Sequence, residues 1–228
     1  MKTVLVLFLL LAINSFGQDF ESVKKIAQQG DNEAQFELGM MYANGKGTPQ
    51  DIEKALYWIK KSAENGYEKA QFTYGLMYYI GNGVKLDKKQ AAYWFEKSAE
   101  KGNINAANSL AQMYYNGDGI NKDFKKAFQW FGKCAEQGNS DAQYSIGWMY
   151  YNGESVAKDF KKAFFWYKKS AEQGNGNAQY NIGWMYYKGE GVTADKKQAA
   201  VWIKKAKEQG NAKAASVWKK FNMAQYSE

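Results

Sequence analysis

The sequence contains no histidine and only one cysteine among its 228 residues. Histidine is the commonest general base and the commonest metal ligand near neutral pH, so its absence argues against acid–base catalysis and against a zinc site. The one cysteine, Cys134, cannot form a disulfide within the chain, so packing has to supply the stability. We therefore expect a protein that is not an enzyme and that has no catalytic residue, metal or cofactor.

Arginine is also missing, and all 31 basic residues are lysines. A formal net charge of +8 favours a nucleic acid or an anionic surface as a partner. Bidentate recognition of phosphate or guanine, however, depends on a guanidinium group, which lysine lacks. Most of the lysines stand in pairs on predicted helices, where a solvated face is the simpler interpretation. We predict a protein or peptide partner and no nucleic acid.

Long apolar runs are absent except near the start, where one extends from Val4 to Ile13. The lysine before this run, its short length and the small residues Ser15 and Gly17 predict a signal peptide over residues 1–17. A membrane-spanning helix needs about 20 apolar residues, and an uncleaved anchor is the alternative. We expect an exported monomer, periplasmic or secreted, without stable membrane insertion after cleavage. The sequence has no Asn-x-Ser/Thr sequon, which favours a bacterial source.

Proline occurs only once, whereas glycine occurs 22 times, which predicts a mainly helical chain in which glycine marks the ends of helices. Glycine, tryptophan and aspartate each recur at intervals of 36 residues. A period of about 20–50 residues predicts a stack of identical supersecondary units. The three columns are Gly30, Gly66, Gly102, Gly138, Gly174 and Gly210; Trp58, Trp94, Trp130, Trp166 and Trp202; and Asp51, Asp87, Asp123, Asp159 and Asp195.

One repeat, residues 139–174, contains two predicted helices. In the first, apolar residues recur at i, i+4 and i+7 from Ala142, and Gly153 stands where a left-handed C-cap is needed. Asp159 is a good N-cap for the second helix, and Gly174 ends it. Because the loop between them is short, the two helices are expected to pack antiparallel.

A further glycine column lies inside the first helix of the repeat, where glycine costs about 1 kcal/mol relative to alanine. Close approach of the neighbouring helix explains a small residue at this position. We predict that the tryptophan column of the second helices fills the space beside it. The column consists of Gly39, Gly75, Gly147 and Gly183, with Ala111 in the third repeat.

The string Ala-Gln-Tyr-x-Ile-Gly-Trp-Met-Tyr-Tyr-x-Gly, with the later Asp, Lys-x-Ala, Trp and Ala-Glu-Gln-Gly, resembles the Sel-1-like repeat, a relative of the tetratricopeptide repeat. The resemblance implies an all-α fold, a right-handed α/α superhelical solenoid of helix-turn-helix repeats that scaffolds protein complexes. We expect terminal capping helices at 18–30 and within 211–228, where Lys219 takes the glycine position. The five repeats predicted between them are 31–66, 67–102, 103–138, 139–174 and 175–210.

The resemblance also offers an alternative function. In the cysteine-rich exported branch of this family, disulfides link the helices, and penicillin binding or hydrolysis is ascribed to some members. A cell-wall or β-lactam-directed hydrolase or binding protein is therefore the second hypothesis. This chain lacks the cysteines of that branch, which argues against it.

The candidate partner-binding face lies on the first helices, which line the concave side of the proteins that this chain resembles. Positions that stay constant in every repeat are explained by packing. A binding face is therefore expected at positions that vary between repeats and share one helix face. Large aromatic residues there bring contact area at low entropic cost. The alternative is that they pack between repeats. The candidate face comprises Phe36, Phe72, Leu76, Tyr79, Gln112, Tyr115, Tyr144, Trp148, Tyr151, Tyr180, Trp184 and Tyr187, with Met40, Ala43 and Asn108 at the remaining positions.

Overall fold

A computed structural model describes residues 19–226. The predicted signal peptide over residues 1–17 lies outside the described residues. Regular secondary structure from 19 to 226 consists of twelve α-helices and a C-terminal 3₁₀ helix. None of the helices in this part of the chain has the length and apolar character needed to cross a membrane. The predicted all-α class is confirmed.

The α-helices alternate between the first and the second helix of each repeat, with one more at either end. In chain order they are α1 Phe20–Gln28, α2 Asn32–Asn44, α3 Ile52–Glu64, α4 Glu68–Ile80, α5 Lys88–Glu100, α6 Ile104–Asn116, α7 Phe124–Glu136, α8 Ser140–Asn152, α9 Phe160–Glu172, α10 Gly176–Lys188, α11 Lys196–Glu208 and α12 Ala212–Lys220. The 3₁₀ helix is Met223–Tyr226.

The chain divides into two compact units, residues 1–106 and 107–228. In the described part of the first unit, each helix from α1 to α4 packs against the next, up to α5. In the second unit, each helix from α7 to α12 does the same, and the 3₁₀ helix packs on α11 and α12. Each unit therefore has a core between successive helices.

The fourth repeat shows how the sequence determines the helix pair. The Asp159 side chain accepts a hydrogen bond from the Lys162 backbone N–H at 2.9 Å and so caps the start of α9. Gly153 ends α8 with φ +77°, a left-handed conformation that glycine adopts without steric cost. The Ser170 hydroxyl near the end of α9 donates to the Ser140 carbonyl at the start of α8, at 2.8 Å. The two helices are therefore antiparallel, as predicted.

The tryptophan column does not fill the space beside the helix glycines, and this prediction was wrong. A Cβ placed on Gly147 would lie 2.6 Å from Tyr167 Cδ1, and one on Gly183 would lie 2.6 Å from Ile203 Cγ1. These residues directly follow Trp166 and Trp202. One step along an α-helix turns the side chain by about 100°, so the residue after the tryptophan points at the glycine.

The tryptophans themselves are half-buried, and all of them except Trp94 contact a lysine on their own helix. Lys133 Nζ lies 4.1 Å from the centre of the Trp130 ring, and Lys205 Nζ lies 4.4 Å from that of Trp202. In both pairs the lysine follows the tryptophan by three residues, which places the two side chains on one helix face. The column thus stabilises the fold from the edge of the core rather than from its centre.

A buried glutamine column, whose role the sequence did not reveal, links successive helix pairs. Gln143 Nε2 donates to the Ala135 carbonyl at 3.1 Å, and Gln179 Nε2 donates to the Ala171 carbonyl at 3.2 Å. The accepting carbonyls belong to the last turn of the preceding helix, and each also accepts a backbone hydrogen bond, from the N–H of Gly138 and of Gly174, respectively. Gln35 and Gln71 make the equivalent bonds in the first unit.

Candidate partner-binding face

The candidate residues lie on the first helices of the repeats, and they differ in how far they are buried. Most of them are half-buried, whereas Gln112 and Trp148 are exposed. Trp148 retains 36% of its surface and is the only member of the candidate face among the exposed large hydrophobic residues described between 19 and 226. The exposure of the candidate face therefore differs from one repeat to the next.

In the first unit, the rings of the candidate face pack against neighbouring helices. Phe36 lies 5.6 Å from Tyr67, measured between ring centres, and Phe72 lies 5.6 Å from Phe95. Tyr79 also contacts Phe95, at 6.3 Å. Phe95 is a buried core residue, so these side chains contribute to packing. Leu76 is half-buried among them.

Two tyrosines of the second unit form hydrogen bonds with the following repeat. The Tyr115 hydroxyl donates to Glu154 Oε2 at 2.8 Å, and the Tyr151 hydroxyl donates to Glu190 Oε2 at 2.7 Å. Partial burial and the carboxylate acceptor raise the pKa of each tyrosine to about 12. Both hydroxyls therefore stay protonated at neutral pH and hold the end of one first helix to the loop of the next repeat.

In the fifth repeat, the C-terminal segment covers the candidate rings. Trp184 stacks on Tyr187 with ring centres 5.4 Å apart and an angle of 13°, and Phe221 packs against both rings. Lys188 Nζ lies 5.2 Å from the centre of the Trp184 ring. Tyr180 is half-buried, and burial raises its pKa. In the fifth repeat, the candidate rings thus pack against the C-terminal segment.

The third and fourth repeats bring candidate residues together around an open pocket of about 420 Å³. This volume falls in the range of about 300–1,000 Å³ that is typical of small-ligand sites. Side chains of α6, α7 and α8 form its wall. The lining residues are Asn108, Gln112, Tyr115, Phe131, Asp141, Tyr144, Ser145 and Trp148.

The floor of the pocket is packed and its rim is polar. The Tyr144 ring lies 5.7 Å from that of the buried Tyr167, and burial raises the pKa of Tyr144. On the rim, Asn175 Nδ2 donates to Asp141 Oδ1 at 3.0 Å and so orients that carboxylate. Asn108 Oδ1 is buried and has no hydrogen-bond partner among the described residues. A buried acceptor without a partner costs about 1–3 kcal/mol.

Reactive chemistry is scarce in the described part of the chain. Cys134 is 1% exposed, and burial raises the pKa of its thiol to about 11, so the thiolate is not the neutral-pH form. Between residues 19 and 226, no group of three or more Cys, Asp or Glu side chains is arranged to hold a metal ion. The arrangement is suited to binding.

The sequence interpretation missed a second set of exposed rings, on the second helices. Tyr57, Tyr93 and Phe165 are 56%, 49% and 51% exposed. Each stands directly before a column tryptophan and contacts its ring edge-to-face, at 5.1–5.2 Å between centres. They share one position of the 36-residue repeat, so the periodicity that located the candidate face could also have located them.

Repeated antiparallel helix pairs, capped by aspartate and closed by left-handed glycine, define an α-helical repeat protein. A family model described as the Sel1 repeat matches residues 32–67, 68–103, 104–139, 140–175 and 176–211. The chain belongs to the Sel1 repeat family, which confirms the resemblance seen in the sequence. Repeats of this kind typically serve as scaffolds for protein–protein interactions.

Two solved structures illustrate the relationship. A protective antigen of uropathogenic Escherichia coli with this repeat fold is 37% identical, with a TM-score of 0.81 over 86% of this chain and 42% of that one. A Sel1 repeat protein from Oxalobacter formigenes is 32% identical, with a TM-score of 0.78 over 87% of each chain. The chain thus spans less than half the length of the first and most of the second. No curated protein matches the chain.

Proposed function

We propose that this protein is an exported scaffold that binds a protein or peptide partner through the face of its first helices, the concave face expected for such repeats. The pocket of the third and fourth repeats is the centre of that site, with Trp148 at its rim. The observation that carries the proposal is the exposure of this large aromatic side chain beside an open pocket of about 420 Å³. Tryptophan at the edge of a pocket is a frequent binding hot spot.

The other candidate residues support this site indirectly. The hydrogen bond from Tyr115 to Glu154, at 2.8 Å, joins one wall of the pocket to the loop after α8. Phe131, another lining residue, is 1% exposed and belongs to the core. A partner would therefore meet a pre-formed surface and would pay little to order it.

Export of the chain is also a proposal, and it rests on the apolar run and small residues at the start of the sequence. Expression of the full-length gene in a Gram-negative bacterium, followed by N-terminal sequencing of the protein from the periplasm, tests it. We expect a mature chain that begins at Gln18. Cytoplasmic protein that retains Met1 would contradict export.

The face itself can be tested with a random peptide library selected on the purified full-length chain. We expect the selected peptides to bind the parent protein and to lose at least about tenfold in affinity for Trp148→Ala, as hot-spot truncations do. Phe165→Ala is the matched control, because it also removes an exposed aromatic ring but from a second helix. Selected peptides that bind Trp148→Ala normally but do not bind Phe165→Ala would show that the site lies on the second helices and not on the first.

A hydrolase remains the rival class, although no observation on the described residues favours it. Incubation of the purified chain with a chromogenic cephalosporin distinguishes the two. We expect no turnover above the buffer rate. Measurable turnover would contradict a function limited to binding.

A further inference from the structure

Most other aromatic rings described between residues 19 and 226 contact a lysine ammonium group, whereas three of the rings around the pocket contact none. Elsewhere in the described part, lysine ammonium groups lie over aromatic rings at 4.1–5.9 Å from the ring centre. Such contacts stabilise the cation through the negative face of the ring. Among the lysine–ring contacts of residues 19–226, none involves Tyr115, Tyr144 or Trp148. These three rings have no cation of their own.

A comparison between neighbouring repeats shows why Trp148 lacks a lysine. In the fifth repeat, Lys188 follows Trp184 by four residues and places its Nζ 5.2 Å from the ring centre. At the equivalent position of the fourth repeat stands Asn152, whose Nδ2 donates to the Trp148 backbone carbonyl at 3.1 Å. An amide bound to the backbone supplies no cation to the Trp148 ring. The fourth repeat thus has an aromatic cation site without its internal cation.

The polar groups of the pocket complete a surface that accepts positive charge. Asp141 is the only charged lining residue that the structure describes, and no lysine lines the pocket in a chain that carries 31 of them. A carboxylate offers up to about four acceptor positions, and the bond from Asn175 occupies one. Gln112, an exposed lining residue, adds a side-chain amide oxygen. The pocket therefore combines a carboxylate, an exposed amide and the exposed part of the Trp148 ring.

We propose that this pocket binds an arginine side chain of the partner. The proposal rests on the proposed function and specifies the chemistry of what that site binds. A guanidinium group is planar, stacks on tryptophan, and presents five N–H donors to acceptors such as the Asp141 carboxylate and the Gln112 amide oxygen. The pocket volume of about 420 Å³ leaves room for the arginine stem and the adjoining peptide backbone. The chain contains no arginine, so only a partner can supply this group.

The assignment can be tested with three tripeptides, acetyl-Gly-Arg-Gly-amide and its lysine and citrulline counterparts. Each is titrated into the full-length chain while the indole N–H signals of ¹⁵N-labelled tryptophan are followed by NMR. Trp148→Phe assigns the signal of interest by its disappearance. We expect a saturable shift of that signal with the arginine peptide at millimolar concentration. The citrulline peptide, which keeps the shape and loses the charge, should bind at least about fivefold more weakly.

Two variants connect the shift to the pocket. Asp141→Asn should reduce the affinity for the arginine peptide by about threefold to tenfold. The fold should be retained, because the next repeat has an asparagine, Asn177, at the same position. Phe165→Ala, which changes a residue of the second helix α9, should leave the affinity unchanged. Far-UV circular dichroism on each variant confirms that the fold is intact.

Several outcomes would overturn the assignment. Equal affinity for the arginine and citrulline peptides would show that charge plays no part, and tighter binding of the lysine peptide would exclude the guanidinium. Absence of any shift at Trp148 in a folded chain would contradict the site altogether. These results are separable from the proposed binding face, which fails if library-selected peptides bind Trp148→Ala as well as the parent.

Discussion

Two glycine-to-alanine substitutions within the second unit should change stability in opposite directions. Gly183 and Gly132 both lie inside helices, α10 and α7, where alanine improves intrinsic helix propensity by about 1 kcal/mol. Their surroundings differ. A Cβ on Gly132 would meet nothing within 4 Å, so Gly132→Ala should stabilise the protein by about that 1 kcal/mol.

At Gly183 the added methyl group has no room. Its Cβ would lie 2.6 Å from Ile203 Cγ1 and 3.1 Å from the Ala199 carbonyl oxygen and the Ile203 backbone nitrogen. Two of these atoms belong to the backbone of α11, so the helix itself has to move. Overpacking of this kind costs about 1–3 kcal/mol. After subtraction of the gain in propensity, Gly183→Ala should destabilise the protein by up to about 2 kcal/mol.

Thermal denaturation followed by far-UV circular dichroism measures both substitutions under the same conditions. For a chain of this size, 1 kcal/mol corresponds to a change in melting temperature of about 2–4 °C. Gly132→Ala should therefore raise the midpoint by a few degrees, and Gly183→Ala should lower it. A rise in both variants would refute the argument that helix approach requires the glycine column, because propensity alone would then account for the data.

Further predictions concern the core, the loops and the thiol. Phe131→Ala should lower the free energy of unfolding, measured by urea denaturation, by about 3–5 kcal/mol. Trp130→Ala should lower it clearly less, because Trp130 is half-buried. Equal losses would contradict the position of the tryptophan column at the edge of the core. Ser155 has φ +65°, so Ser155→Gly should raise the melting temperature by the equivalent of about 1 kcal/mol, whereas Gly191→Ala should lower it because its Cβ would lie 2.2 Å from a backbone oxygen. Iodoacetamide should label Cys134 at neutral pH only after unfolding; rapid labelling of the native chain would show that the thiol is accessible.

The sequence was sufficient to predict the helix pairs, because short-range signals specify them. The Asp159 cap and the Gly153 end of α8 follow from side-chain chemistry and backbone sterics within a few residues. The partner of the helix glycines could not be obtained in this way. Trp166 and Tyr167 are both large and adjacent, and only the rotation of α9 about its axis decides which one faces Gly147.

The candidate face was predictable in position but not in exposure. Trp148 and Trp184 occupy the same position of the repeat, and their sequence surroundings are nearly identical. Phe221, which lies beyond the last full repeat, packs on Trp184 and leaves Trp148 without an equivalent neighbour. The open rings of the fourth repeat likewise depend on Asn152 in place of a lysine. The contact with Phe221 is a tertiary one that the period of the repeat does not reveal, whereas the difference between Asn152 and Lys188 is visible in the sequence four residues after each tryptophan.

The most direct test of the account is the melting temperature of Trp148→Ala measured beside that of Phe131→Ala, with peptide binding recorded on the same samples. Because Trp148 retains 36% of its surface and Phe131 only 1%, we expect a small loss of stability and a loss of at least about tenfold in peptide affinity for Trp148→Ala. Phe131→Ala should show the large loss of stability that is typical of a core truncation. A drop for Trp148→Ala as large as that for Phe131→Ala, or unchanged peptide binding, would contradict the account.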